Sequence, residues 1–144
     1  SLSITTINPE SKGSISKDGS KTIVNPKFLS STKDIELLKL ALKFCLKLLR
    51  SEPINEYVLK IEDIDNIENN PEKYINNNIF SGHHLIGGMQ DSINSNFEIK
   101  GTQSLYVCDA SIFNNYAASN IHSSVLLMAD IFSNKFVQKN KGET

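Results

Sequence analysis

The sequence predicts a mixed α+β / α/β fold, and three stretches carry that prediction. Near the start, an Asp18-Gly19 turn joins two runs of alternating polar and β-branched residues. A long amphipathic helix is expected over residues 32–50, and the apolar run Leu105-Tyr106-Val107-Cys108 precedes a second long helix. Strands and helices interleaved along one chain bury their apolar faces by packing sheet against helix. At 144 residues the chain can bury one ordinary core, and its length does not require two.

Residues 10–25 read as a short hairpin, Gly13-Ser14-Ile15-Ser16 and Lys21-Thr22-Ile23-Val24 flanking the Asp-Gly turn. Asp-Gly supplies the positive φ angles that a tight turn needs. Asn25-Pro26 stops the second run, because proline has no donor for the ladder. Ser31 then precedes the helix over 32–50, with Asp34 three positions on as a variant of the capping box. Leu37, Leu38, Ala41, Leu42, Cys45, Leu46 and Leu49 recur at helical spacing as a core stripe. Lys39, Lys43, Lys47 and Arg50 fall on the opposite side, which reads as a solvated face.

Pro53 ends that element, and residues 55–79 are acidic and amide-rich. They lack the alternating oxygen ligands, central glycine and terminal glutamate of a calcium-binding loop. One short helix is expected from Pro71 to Asn77, with proline in its first turn. Beyond Gly82-His83-His84-Leu85-Ile86-Gly87-Gly88-Met89, a polar loop over Asp91 to Asn96 leads to Phe97-Glu98-Ile99 and a turn at Gly101. Leu105 to Cys108 is apolar enough to be a strand buried on both faces, as parallel strands are. The last helix is expected from Asn120 to Val137, and the polar residues from Gln138 onward form a fraying tail.

Lys plus Arg total 15 and Asp plus Glu 16, a net charge of −1 that gives no electrostatic case for nucleic acid or an anionic membrane. Cys45 and Cys108 each lie within an apolar run, without the paired spacing of a metal site, and read as reduced core residues. Neither a leader nor a run of about 18 apolar residues is present, so the expectation is a soluble protein with no membrane span, cytoplasmic by default.

The stretch from Gly82 to Ala129 has the form of a site. A histidine ahead of paired glycines, an acidic residue at the end of a strand and a polar residue at a helix start can meet on one ligand, since strand ends and helix N-termini carry open donors. In order and spacing these residues resemble the C-terminal portion of the glucose-methanol-choline (GMC) family of flavin-dependent oxidoreductases. The family pattern is a histidine, two variable residues and Gly-Gly or Gly-Thr; then a hydrophobic strand ending in Asp-Ala-Ser or Asp-Gly-Ser; then Asn or His about eleven residues on, opening a helix. Here these are His84, Gly87, Gly88, Leu105 to Ser111, and Asn120, eleven after Asp109. Upstream, Pro9 to Ile15 and Asn25-Pro26-Lys27-Phe28-Leu29 resemble the family's corresponding segments, so the likeness spans residues 8–138.

The resemblance implies that residues 1–79 belong to the substrate-domain sheet and its helices. Residues 80–138 would return to the Rossmann-like FAD-binding domain as its last strand and helix, and 139–144 would be a tail. It implies an oxidase or dehydrogenase that moves hydride from a CH–OH group to flavin. His84 would be the base, suited by an imidazole pKa near roughly 6.5. Asn120 would hold the same oxygen without changing charge. Asp109 and Ala110 would line the cofactor crevice, the amides of Ile121 and His122 would face the flavin's pyrimidine carbonyl, and Gly87 and Gly88 would let backbone pass close beneath it. The implied partners are an N-terminal FAD-binding segment or chain and a small-molecule alcohol.

Rival readings exist for several of these residues. His83 is the competing register, four before Gly87, and is expected to orient the loop; a metal-binding role for His122 would need ligands whose spacing is not present. Asp109 also reads as a plain strand end, and Asn120 as an N-cap. The chain departs from the family pattern at Met89-Gln90-Asp91-Ser92, at Asn114 and at Ile121, where prolines are usual at the last two. It also has no Gly-x-Gly-x-x-Gly turn, so FAD would be held mainly outside it. The alternative function is a degenerate, non-catalytic binding or interaction domain that keeps the same fold.

Overall fold

The computed structural model describes residues 2–117 and 120–141, the last three of these as backbone. The chain divides into two compact units, Ser1–Phe80 and Ser81–Thr144.

In the first unit, β1 (Ser14–Asp18) and β2 (Lys21–Asn25) pair antiparallel with Asp18 opposite Lys21, which leaves Gly19-Ser20 as the loop. Gly19 takes φ +57°, the left-handed conformation that the Asp-Gly pair predicted. Every residue of both strands is exposed. At Gly13 a side chain would collide with the carbonyl oxygen of Asn25, so the hairpin's mouth requires glycine.

Helix α1 (Thr32–Leu49) begins where the sequence predicts, its N-cap Ser31 accepting from the Lys33 amide at 3.2 Å. Asp34 does not complete the expected capping box. Its buried carboxylate accepts instead from the amides of Glu10, 2.9 Å, and Ser11, 2.8 Å, and from the Ser11 hydroxyl. Ser11 Oγ in turn accepts from the Ser31 amide at 3.0 Å, taking the bond that Asp34 was expected to make. A carboxylate can serve three donors at once, and the segment ahead of the hairpin supplies them.

The short helix expected from Pro71 to Asn77 is present, and two further short elements precede it. A 3-10 turn at Ile54–Tyr57 is followed by α2 (Ile64–Asn69) and α3 (Pro71–Asn78), with Pro71 at the first position of α3. Ile67 and Ile75 are buried where α3 packs on α2 and on α1, and this tertiary burial supplies what the run's amide-rich composition does not. The basic face of α1 is also not simply solvated. Arg50 pairs with Glu68 at 2.8 Å, and Lys39, Lys43 and Arg50 line an open groove whose other wall is Ile67 and Glu68. Leu37, expected in the core stripe, faces outward at 51% exposed, beside Leu40 and Phe44 at 62% and 66%. Those three positions share one ridge, so α1 is apolar on two sides.

In the second unit the main correction concerns Leu105–Cys108. The described residues form no strand there: an isolated antiparallel bridge joins Glu98 to Tyr106, and Leu105 is 52% exposed. The reason is local. Ile99 N donates to Leu105 O at 2.8 Å and Val107 N to Phe97 O at 2.9 Å, so the run pairs with a bent neighbour on one edge only. Phe97 has φ +65°, which breaks that neighbour's regular extension. Helix α4 (His122–Lys141) starts two residues after Asn120 and runs on through the first part of the expected tail. Residues 142–144 of that tail lie outside the described residues.

Candidate functional site

The second unit brings two of the three site segments together. An aromatic cluster first fixes the run from 105 to 108 against α4: the Phe132 ring lies 5.4 Å from Phe97 and 5.9 Å from Tyr106, and Phe136 lies 5.5 Å from Tyr106. The half-buried Cys108 thiol points at Met128 O, 3.7 Å away. Burial, with the neighbouring Asp109 charge, pushes that thiol above its ordinary value, so it stays protonated.

The chain then turns. Asp109 Oδ1 accepts from the Ser111 amide at 2.8 Å and caps the 3-10 turn Ala110–Ile112. The carboxylate is exposed and the turn half-buried. Asp109 thus ends the extended run and caps a turn at once, as short acidic side chains do.

Onto this turn docks the glycine pair of the histidine loop. Gly87 N donates to Ala110 O at 3.2 Å and Met89 N to Ser111 O at 3.0 Å. Gly87 and Gly88 take φ +84° and +107°, which glycine adopts without strain. A side chain at Gly88 would meet nothing within 4 Å. His84 lies three residues before Gly87 and is half-buried. His83 is exposed, with φ +58°, and its amide donates to Ser81 Oγ at 3.0 Å.

The third segment is the start of α4. Ile121 is buried, and its carbonyl accepts the Val125 amide at 2.9 Å, so Ile121 is the half-in residue of the helix. The leading amides, those of Ile121 and His122 included, stand ahead of the intrahelical ladder, where a partly negative oxygen is favoured. Asn120 and His122 are exposed. Among the described residues no hydrogen bond joins His84 to Asn120, and no group of three or more His, Cys, Asp or Glu side chains could share a metal ion.

One residue that the sequence reading names only as a departure from the family pattern belongs here. Gln90 Oε1 accepts from the Gly88 amide at 2.6 Å. An amide side chain two residues after a positive-φ glycine is the available signal, and it is too common to have found the bond unaided.

The C-terminal family model of GMC oxidoreductase matches residues 9–129. The chain belongs to the GMC oxidoreductase family. In fold it resembles pyridoxine 4-oxidase from Mesorbium loti, with a TM-score of 0.74 over 92% of this chain at 22% identity. Among curated relatives, "Dehydrogenase mpl7" of Monascus purpureus and "Dehydrogenase citC" of Monascus ruber are each 25% identical over 142 residues, 90% of this chain. The chain spans 23% of the length of those two relatives and 28% of the pyridoxine 4-oxidase chain. Among the described residues, no helix of this GMC chain is long and apolar enough to cross a membrane.

Proposed function

We propose that this chain is the C-terminal segment of an FAD-dependent alcohol oxidoreductase, with His84 as its base and Asn120 as the partner that holds the substrate oxygen. The observation that carries the reading is the docking of the Gly87–Met89 turn on Ala110 and Ser111, within a match to the family that includes both. That junction ties the histidine's loop to the wall assigned to the cofactor.

FAD, when bound, supplies the hydride acceptor. His84 Nε2 or Nδ1 takes the hydroxyl proton as the C–H bond gives up its hydride and the C–O bond becomes a carbonyl. Asn120 donates to the oxygen throughout, fixing the carbon without adding charge. The α4 amides of Ile121 and His122 would hold a partly negative oxygen of that group, a donor set of the right sign for it. The open side of Gly88 leaves room for a flat ligand.

The remaining FAD contacts come from an N-terminal segment or chain. Exposed apolar side chains support that partner: Leu37, Leu40 and Phe44 form a ridge 51%, 62% and 66% exposed on α1, and every residue of the hairpin is uncovered.

The deciding experiment is anaerobic flavin reduction by alcohol in the full-length protein carrying His84→Ala. Reduction slowed at least ~100-fold, the lower range for loss of a general base, is expected. Reduction at the unsubstituted rate would leave His84 without the role.

A further inference from the structure

We propose that Gln90 is a positioning residue that locks the Gly87-Gly88 peptide in one orientation and thereby sets the His84 loop against Ala110 and Ser111. The inference rests on the reading of His84 as the base. Three successive amides define the turn. Those of Gly87 and Met89 point to one side and donate to Ala110 O and Ser111 O. The middle one, Gly88 N, goes instead to Gln90 Oε1 at 2.6 Å.

The middle bond matters because of what flanks it. A peptide plane between two glycines, here at φ +84° and +107°, meets little steric resistance to rotation, since neither neighbour has a Cβ. The two outer bonds hold the ends of the turn but leave that plane free. Gln90 is half-buried, and its Oε1 also lies 3.7 Å from where a Gly87 Cβ would stand, so the side chain folds back onto the Gly87-Gly88 peptide. With that acceptor in place the plane has one favoured orientation. Without it, the Gly88 amide turns to water and the loop samples several, so a base three residues upstream loses its fixed distance to the reacting hydroxyl.

Gln90→Met keeps the side chain's length and removes the acceptor, while Gln90→Glu keeps an acceptor oxygen. Both are to be made in the full-length FAD-loaded enzyme beside His84→Ala. Two quantities are read: amide hydrogen exchange over residues 84–92 by mass spectrometry, and the limiting rate and half-saturating alcohol concentration of anaerobic flavin reduction. Gln90→Met is expected to speed exchange at this turn about tenfold and to lower the limiting rate about 10- to 100-fold, as misplacement of a reacting group does. The half-saturating concentration stays within about threefold, because the alcohol's ground-state contacts are untouched. Gln90→Glu restores both exchange and rate to within about threefold.

Unchanged exchange and rate in Gln90→Met, or equal losses in both variants, overturn the proposal. If His84→Ala slows reduction while Gln90→Met does not, the positioning role fails alone. If His84→Ala is without effect, the reading of the base fails and the positioning role falls with it, whatever the exchange shows. Should Gln90→Met not retain flavin, Gln90→Glu decides: protection and rate kept near those of the unsubstituted enzyme support the acceptor role, and loss of either overturns it.

Discussion

Ser11 donates to the carboxylate of Asp34 twice, through its amide at 2.8 Å and through its hydroxyl. Burial alone would push the Asp34 carboxyl up, but the bonds from Ser11 and the Glu10 amide outweigh it and hold the group below its ordinary value. A folded value below the unfolded one means that this stabilisation is present at neutral pH and is lost as pH falls through the folded value. Asp34→Asn should therefore lower the local stability of residues 9–12 by about 2 kcal/mol at pH 7. Hydrogen exchange in the full-length protein reads that difference, which should shrink below a pH of about 4.

Gly88 offers a test of conformation separated from crowding. The space beside it is open while its φ is +107°, so Gly88→Ala carries a backbone penalty and no clash. A loss of about 1–3 kcal/mol in the turn's local opening free energy is expected. An alanine accepted at no cost would mean that the turn has another geometry.

Phe132 is the hub of the second unit, with the rings of Phe97, Tyr106 and Phe136 within 5.9 Å of its own. Its half-burial puts Phe132→Ala below the full cost of a core phenylalanine, at about 2–3 kcal/mol. Since these rings hold the run that ends in Asp109, the variant should also raise exchange over residues 105–111. Destabilisation confined to α4 would show that the cluster does not govern the turn.

Phe44 is 66% exposed on α1. Phe44→Glu should barely disturb the first unit, yet it would place a charge in the interface proposed for the N-terminal segment. A full-length variant with less than half the bound flavin per chain is the expected result. Wild-type flavin content and wild-type thermal stability would take the ridge out of the interface.

The parts of this structure legible in the sequence are those decided locally. The Asp18-Gly19 turn, the Ser31 cap and the Pro71 helix start each follow from the conformational limits of one or two residues. What differs depends on residues outside each motif. Spacing alone pairs Asp34 with Ser31, whereas its donors lie more than 20 positions away. Leu105 to Cys108 reads as a doubly covered strand because apolar runs usually are, but its pairing is governed by the positive φ of Phe97. His84, Gly87, Gly88, Asp109 and Asn120 read as an ordered set of types that resembles the family pattern, and the roles proposed for them rest on that likeness. The bond of Gln90 is not legible, since any amide or acid could make it.

The bare hairpin β1–β2 bears on the order in which the first unit opens. A two-stranded ribbon with no residue covered is marginal in water, and this one gains its register only from a tight turn and five backbone pairs. Its pairs lie close in sequence, so the ribbon can form quickly, yet with no residue covered it is expected to open readily and to lose amide protection before α1 to α3 do.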